Sequence, residues 1–369
     1  MTFTLFLYMI AAFFGLQPIK ASGPVYVRTD GTVYLPEAAH ARTLGSQRVE
    51  PSGSIYIRAD GSVSPPGAPI SSSDNVTYIL NGNITRPIVI ERNNTIIDGN
   101  GHTLEGDGSA NGFSLYSISG VTIRNTNIKN FKYGIYVESA SHSIISGNNL
   151  TASTYDGISL DSSSNNSIFK NNVAVNGWFG IGIFYSSNNS IAQNNIEANS
   201  DGIRLLYSSD NSISLNNVTA NQNGIQLYYS SENSIFHNNF LNNSNQSHTE
   251  SSSNVWDNGS KGNYWSDYNG TDLNQDNIGD TPYIIDANNQ DRYPLMKPYA
   301  KPGLTTDINK DGTVNILDIF IVAQAFGSKP GDPNWNVVAD LDNNGIINIL
   351  DVFAIARDYG KTTRLSFFE

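Results

Sequence analysis

The chain has 369 residues, room for more than one domain, and only 15% of them are charged, which excludes a charge-driven disordered protein. A formal net charge of -12 excludes the basic footprint of a nucleic-acid partner. With no cysteine, the fold uses neither disulfides nor thiolate metal sites.

Residues 1–22 read as a signal peptide. "FTLFLYMIAAFFGL", from Phe3, is apolar over less than the ~20 residues of a membrane helix, and small residues follow at Ala21 to Gly23. No Lys or Arg precedes the run, so a retained N-terminal anchor is the alternative. Either way the rest is exported, secreted or held at the cell surface, and after cleavage no stable membrane span is expected. Over 23–70, "PVYVRTDGTVYLP" and "SIYIRADGSVSPP" set alternating apolar residues around Asp30-Gly31 and Asp60-Gly61. Asp-Gly accepts the positive φ of a type I′ turn, which predicts two β-hairpins.

Over 71–298 a repeat takes over. Glycines at 134, 157, 180, 202 and 224, and Asn pairs beginning at 148, 171, 194, 216 and 238, give a period of 22 to 23 residues. Each unit holds short period-2 strands, such as "GIRL", that bury alternate residues: Ile203 and Leu205 inward, Arg204 outward. One unit cannot cover its own apolar face, so the units must stack, at about 4.8 Å per rung, into one column. Ile144, Ile168, Ile191, Ile213 and Ile235 are the predicted inner file. The rung glycines suit positive-φ turns, and the Asn pairs suit corners where amides bond from rung to rung. The predicted fold is mainly β: a right-handed parallel β-helix, the hand following from the crossover rule. Trp256, Tyr264 and Trp265 would cap its open end, and the Asp272, Asp276, Asp280 segment reads as part of that cap, since it lacks a calcium-loop template.

Rungs of the form NSIxxNNxxxxxxxGIxLxxS resemble the NosD-like, carbohydrate-binding and sugar-hydrolase β-helix family. That resemblance implies the fold, not one activity: its members range from metallocofactor maturation factors to polysaccharide lyases, hydrolases and epimerases. Copper handling favours clustered His, Met and Cys. Here His102, His142, His237 and His248 stand singly, so copper is not expected. Sugar chemistry needs paired carboxylates. Asp156 and Asp201, each just before a rung glycine, are the candidate catalytic pair. They stand two rungs apart, about 9.6 Å between backbones, near the upper limit for inverting hydrolysis. Arg204 would stand outward to hold an acidic sugar. Asp before Gly is also ordinary turn chemistry, and Tyr133, Phe179 and Asn223 fill the position in other rungs. Outward Tyr185, Tyr207, Tyr228 and Tyr229 suit glycan stacking or the ladder's own packing.

A Pro-marked linker at 299–304 leads to a small all-α domain at 305–361. Calcium loops place oxygen ligands at positions 1, 3, 5, 7, 9 and 12, with Gly at 6. "DINKDGTVNILD" supplies Asp307, Asn309, Asp311, Thr313, Asn315 and Asp318, and "DLDNNGIINILD" supplies Asp340, Asp342, Asn344, Ile346, Asn348 and Asp351. Positions 313 and 346 would act through their carbonyls. Each loop runs into an apolar-periodic helix that ends at Gly327 or Gly360. These twinned loop–helix units resemble a type I dockerin. The resemblance implies two Ca2+ sites and a cohesin-type partner, met largely by loop positions 10 and 11: Ile316-Leu317 and Ile349-Leu350. Packing of the two helices on each other is the competing use for those residues.

The expectation is an exported β-helix that binds, or also processes, polysaccharide or surface glycan and is anchored through a calcium-dependent dockerin. The alternatives are a polysaccharide lyase or glycoside hydrolase of a cohesin–dockerin complex, and a structural spacer without catalysis.

Overall fold

The structure is a computed structural model that describes residues 26–27, 33–34, 53–299, 306–309, 314–342 and 344–360. The signal-peptide reading of 1–22 and the linker reading of 300–304 lie outside the described residues. The chain divides into units of residues 1–50 and 51–369. In the first, Tyr26–Val27 pairs antiparallel with Val33–Tyr34.

In the second unit a mainly β parallel solenoid is built from three sheets of ten, nine and eight strands. One turn shows the plan. Asp201–Leu206 lies in the first sheet, Ser212–Ser214 in the second and Asn217–Thr219 in the third; then Asn223–Tyr228 returns to pair in parallel with Asp201–Leu206. The alternation of apolar residues dictates which side chains enter. Ile203, Leu205, Ile213 and Val218 are fully buried, and their counterparts in neighbouring rungs continue the column. At the far end Trp256 and Trp265 close it. Trp265 stacks on Phe240 at 4.5 Å and on Tyr283 at 4.3 Å, and Trp256 lies 5.8 Å from Trp265. Tyr264 joins that closing strand but is only partly buried.

Three sequence expectations change. The inner file runs through Ile145, aligned with Ile168, while Ile144 is 38% exposed and aligns with Ser167. Two adjacent isoleucines leave the choice open, and the Asn148–Asn171 bond settles it one residue along. The rung glycines do not have positive φ. They are needed for closeness: a Cβ on Gly202 would lie 2.5 Å from Val218 and 2.6 Å from the Gly224 carbonyl. The bends instead use left-handed non-glycine residues, four of them in this turn: Tyr207, Asp210, Leu215 and Ala220. The hairpin at Asp60-Gly61 is not type I′, because only Gly61 has positive φ. Gly61 N–H donates to Arg58 O at 2.9 Å, which makes a wider loop with glycine at its left-handed position.

Asn side chains hold the rungs together. Asn194 Nδ2 donates to Ile168 O at 3.0 Å and to Asn216 Oδ1 at 3.0 Å, while its Oδ1 accepts from the backbone and side chain of Asn171, both at 3.0 Å. Ladders of the same kind run through Asn166, Asn189, Asn211 and Asn233, and through Asn176, Asn199, Asn221 and Asn243. They satisfy backbone groups that the bends between strands would leave orphaned inside the wall. Asn194→Ala should therefore cost on the order of 3 kcal/mol, since several buried partners are stranded together. Asn195→Ala, at the exposed second position of the same pair, should be close to neutral. Equal urea midpoints for the two variants would rule out the ladder as the register lock.

Candidate functional site

The outward side chains of the first sheet form files along the solenoid. One reads Ser114, Tyr136, Ser159, Gly182, Arg204, Gln226 and His248; another reads Tyr116, Glu138, Asp161, Phe184, Leu206, Tyr228 and Glu250. Most outward faces of such a sheet meet water. Here Phe179, Phe184 and Leu206 form a second, outer apolar cluster with Trp178 and Tyr228 packed on it. An unbroken aromatic track leads to it: Tyr116 to Tyr136 (5.9 Å), Tyr136 to Tyr133 (5.1 Å), Tyr133 to Tyr155 (5.3 Å) and Tyr155 to Trp178 (4.3 Å). It continues from Trp178 to Phe179 and on to Phe184, each step 6.1 Å.

Asp156 sits in this outer layer, 1% exposed. Its Oδ2 lies over Gly182, where a Cβ would come 2.9 Å from it and 2.6 Å from the Phe184 ring. The space over Gly182 is thus taken up by the Phe184 ring and the Asp156 carboxylate, in a file otherwise filled by Ser, Tyr, Arg, Gln and His. Asp156 Oδ1 and the neighbouring Ser159 hydroxyl lie buried with no hydrogen-bond partner. Burial pushes this carboxyl up to about 7, and the charge of Asp201 adds to the rise; approach of Ser159, the Phe179 amide and Arg204 offsets only part of it. Burial alone does not mark a site. Asp291 is as deeply buried, but it receives Asn263 N–H at 2.7 Å, Trp265 Nε1–H at 2.9 Å and Tyr293 N–H at 3.1 Å, a structural assignment in the cap.

Asp201, the other carboxylate singled out by sequence, lies two rungs on, with Phe179 between. It does not face a free arginine. Arg204 donates to Asp201 Oδ2 at 3.0 Å and to Gln226 Oε1, and its guanidinium lies 4.1 Å above the Tyr228 ring. Asn223 Nδ2 donates to the other Asp201 oxygen at 2.8 Å. The expectation that Arg204 stands ready for an acidic sugar is corrected: it is 8% exposed and already engaged. Tyr185, Tyr207 and Tyr229 stack face to face at 5.2 and 5.0 Å, so their faces serve each other and their edges meet solvent. Sequence reading missed Tyr136, Ser159, Asp161, Trp178 and Gly182. Aligning the rungs in register and reading across outward files would have exposed the aromatic run and the lone glycine.

At the C-terminal end the second loop closes on itself. Asp340, Asp342 and Asp351 bring carboxylate oxygens within 4.8 Å of one another, and Gly345 turns the loop at φ 82°. Asp351, fully buried, accepts from Leu341 N–H at 2.7 Å and Asn348 N–H at 2.8 Å; Asp340 accepts from Asn344 and Gly345 N–H. The Ile346 carbonyl accepts from Asn348 Nδ2 at 3.0 Å. In the first loop Asp318 repeats the clamp on Ile308, Asn309 and Asn315 N–H; Asp311 and Thr313 lie outside the described residues. Asn315 and Asn348 are helix N-caps, their Oδ1 atoms accepting from Leu317 and Leu350 N–H on Ile316–Ala325 and Ile349–Asp358. The two units meet through a reciprocal pair, Gly327 N–H to Ile347 O (2.7 Å) and Gly360 N–H to Val314 O (2.8 Å). Ile316, Leu317, Ile349 and Leu350 do not pack the helices: each is more than half exposed, with Phe320 and Phe353 beside them. An all-oxygen set of carboxylates, carbonyls and amides suits a hard cation such as Ca2+.

Residues 67–270 match the family described as periplasmic copper-binding protein (NosD), and residues 305–358 match the dockerin type I domain. No curated protein matches the chain. Among solved structures it is similar to the periplasmic alginate epimerase AlgG (23% identity over 45% of this chain and 39% of that one, TM-score 0.39) and to bacteriophage CBA120 tailspike protein 2 (15%, 65% and 45%, 0.39). It is also similar to the A-module of Azotobacter vinelandii mannuronan C-5 epimerase AlgE4 (12%, 51% and 79%, 0.29). The chain thus spans under half the length of the first two, and these scores carry no argument about chemistry. Copper does not fit the donors present. Among the described residues the one group of three metal-capable His, Cys, Asp or Glu side chains is Asp340, Asp342 and Asp351, with no soft ligand. Among them, too, no helix is long and apolar enough to cross a membrane.

The raised Asp156 pKa fixes a pH dependence. The folded state holds this proton up to about 7, the unfolded chain only to about 3.8, so the associated stability is complete below 3.8 and is lost as pH rises through 7. Asp156→Asn should flatten that slope and leave a variant more stable than the wild type at pH 8. A wild-type melting curve that does not fall between pH 5 and 8 relative to the variant would show that Asp156 is ionised throughout.

Proposed function

The chain belongs to the NosD family, and from that footing we propose that it is an exported, cell-surface or extracellular β-solenoid that binds and cleaves glycan along its first sheet, anchored through its dockerin to a cohesin partner. The observation that carries the glycan reading is the aromatic track from Tyr116 to Phe184, with the buried Asp156 carboxyl beside its end. Tyr116, Tyr136, Tyr155 and Trp178 stand partly exposed along successive rungs and offer ring edges and C–H-binding surface to successive sugars, and the track runs beside a carboxyl that burial keeps protonated near neutrality. Asp156 is the proton donor. Its proton passes to the bridging oxygen, which takes the electron pair of the broken C–O bond. Water adds at the sugar carbon, and the proton it releases passes to Asp201, the partner of Arg204. Asp201's backbone stands about 9.6 Å from that of Asp156, close to the spacing of an inverting pair. Product assays with the full chain should then show reducing ends that fall at least ~100-fold in Asp156→Asn. Trp178→Ala should weaken binding instead. Undiminished product in Asp156→Asn removes the catalytic role, and binding without product leaves a recognition module.

The anchor rests on different residues. Ca2+ bound by the two loops would neutralise their buried carboxylates and hold the loop backbones in place. The apolar sets Ile316, Leu317, Phe320 and Ile349, Leu350, Phe353 occupy equivalent places in the two copies. Either set can therefore meet the same cohesin, in two orientations. Against a panel of type I cohesins, capture should need Ca2+ and be abolished by chelation. Phe320→Glu or Phe353→Glu alone should leave it within about tenfold, and the double variant should lose it. Loss with one change alone would sink the two-orientation reading; capture in excess chelator would sink the calcium reading.

A further inference from the structure

We infer that the first-sheet site takes an uncharged glycan rather than a uronate polymer, a reading that rests on the glycan function proposed above and names its substrate class. A site for polyuronate is favoured by cations that face the sugar carboxylates. The cation whose charge acts on Asp156, Arg204, is committed to Asp201, Gln226 and the Tyr228 face and is 8% exposed. Swinging it to a ligand would strand Asp201, itself 3% exposed, without its countercharge.

Two other carboxylates of this face, by contrast, lack cations. Glu138 and Asp161 are rung neighbours beside Tyr136, and among the described residues neither forms an ion pair. Burial, with their charge added, holds the Tyr136 phenol above its usual range, so it stays a neutral donor. Lys132 is the exception: its Nζ lies 5.8 Å from the Tyr133 ring and 5.6 Å from the Tyr155 ring. One exposed lysine over two tyrosine rings cannot offset a chain carrying a charge on every sugar. What remains on the surface suits hydroxyls and C–H groups: the partly exposed rings of Tyr116, Tyr136, Tyr155 and Trp178.

The full chain should be titrated with matched hexasaccharides: neutral β-linked glucose, xylose, mannose and galactose oligomers, and hexauronates of mannuronate and galacturonate. At least one neutral oligomer should bind at least tenfold tighter than either uronate, and its affinity should not change between ~0.05 and ~0.5 M salt. Glu138→Gln/Asp161→Asn should narrow the gap by strengthening uronate binding several-fold at low salt. A hexauronate that binds as tightly as the best neutral oligomer, or a neutral affinity that falls with salt, overturns the substrate class and leaves the glycan function standing. If no oligomer of either class binds, both fall together.

Discussion

The rung-to-rung bond between Asn side chains is the constraint on which this molecule depends. Strands of three residues make too few backbone hydrogen bonds to fix their own register, and a slip by one would turn every inward side chain outward. An Asn buried at the same corner of each turn removes that freedom. Such an amide completes backbone groups of its own turn and of the turn before, and it bonds the amide of the turn after, so a shifted rung strands several donors and acceptors at once. Ile144 and Ile145 show the effect: hydrophobicity does not choose between them, and the amide ladder does.

Once the register is held from within, the outward positions are released from structural duty. The file through Ser159, Gly182, Arg204 and Gln226 changes size and charge at every step while the inward files stay Ile, Leu and Val. Chemistry can then be placed on this wall without disturbing the column behind it. The glycine at 182, the Asp156 carboxyl and Phe184 ring packed over it, and the Asp201–Arg204 pair in the next rung all come from such deviations. A departure from the repeat carries more functional information here than the repeat itself.

That distinction also explains what could be read in advance. Period, stacking, the inward faces and both calcium-loop helices follow from short-range pattern, and the position of Asp156 and Asp201 before rung glycines was visible as letters. Their difference was not. Whether a carboxylate has partners is decided by residues 22 or more positions away, as when Asn223 reaches back to Asp201 and nothing reaches Asp156 Oδ1. Arg204 reads as a free cation in sequence and becomes a spent one through Gln226 and Tyr228 in the next rung. The role of the rung glycines was misread for the same reason: close approach to the next rung's carbonyl is invisible within one repeat.

The same side chain solves a related problem at the other end of the chain. Asn315 and Asn348 stand at ligand positions of the loop template, yet their oxygens cap the helices that follow. The carboxylates Asp318 and Asp351 reach back to the Asn backbone and complete the capping box, so each loop is tied to its helix before any cation is considered. Binding of Ca2+ then has less ordering left to do, because the negative charges are already gathered and the helix start is set. In both domains a short amide side chain substitutes for a missing backbone partner, which gives the abundance of Asn a structural cause. It also separates the two jobs: in the solenoid the amides fix a scaffold and leave the chemistry to its outer files, whereas in the terminal domain they hold open the loops that would receive the metal.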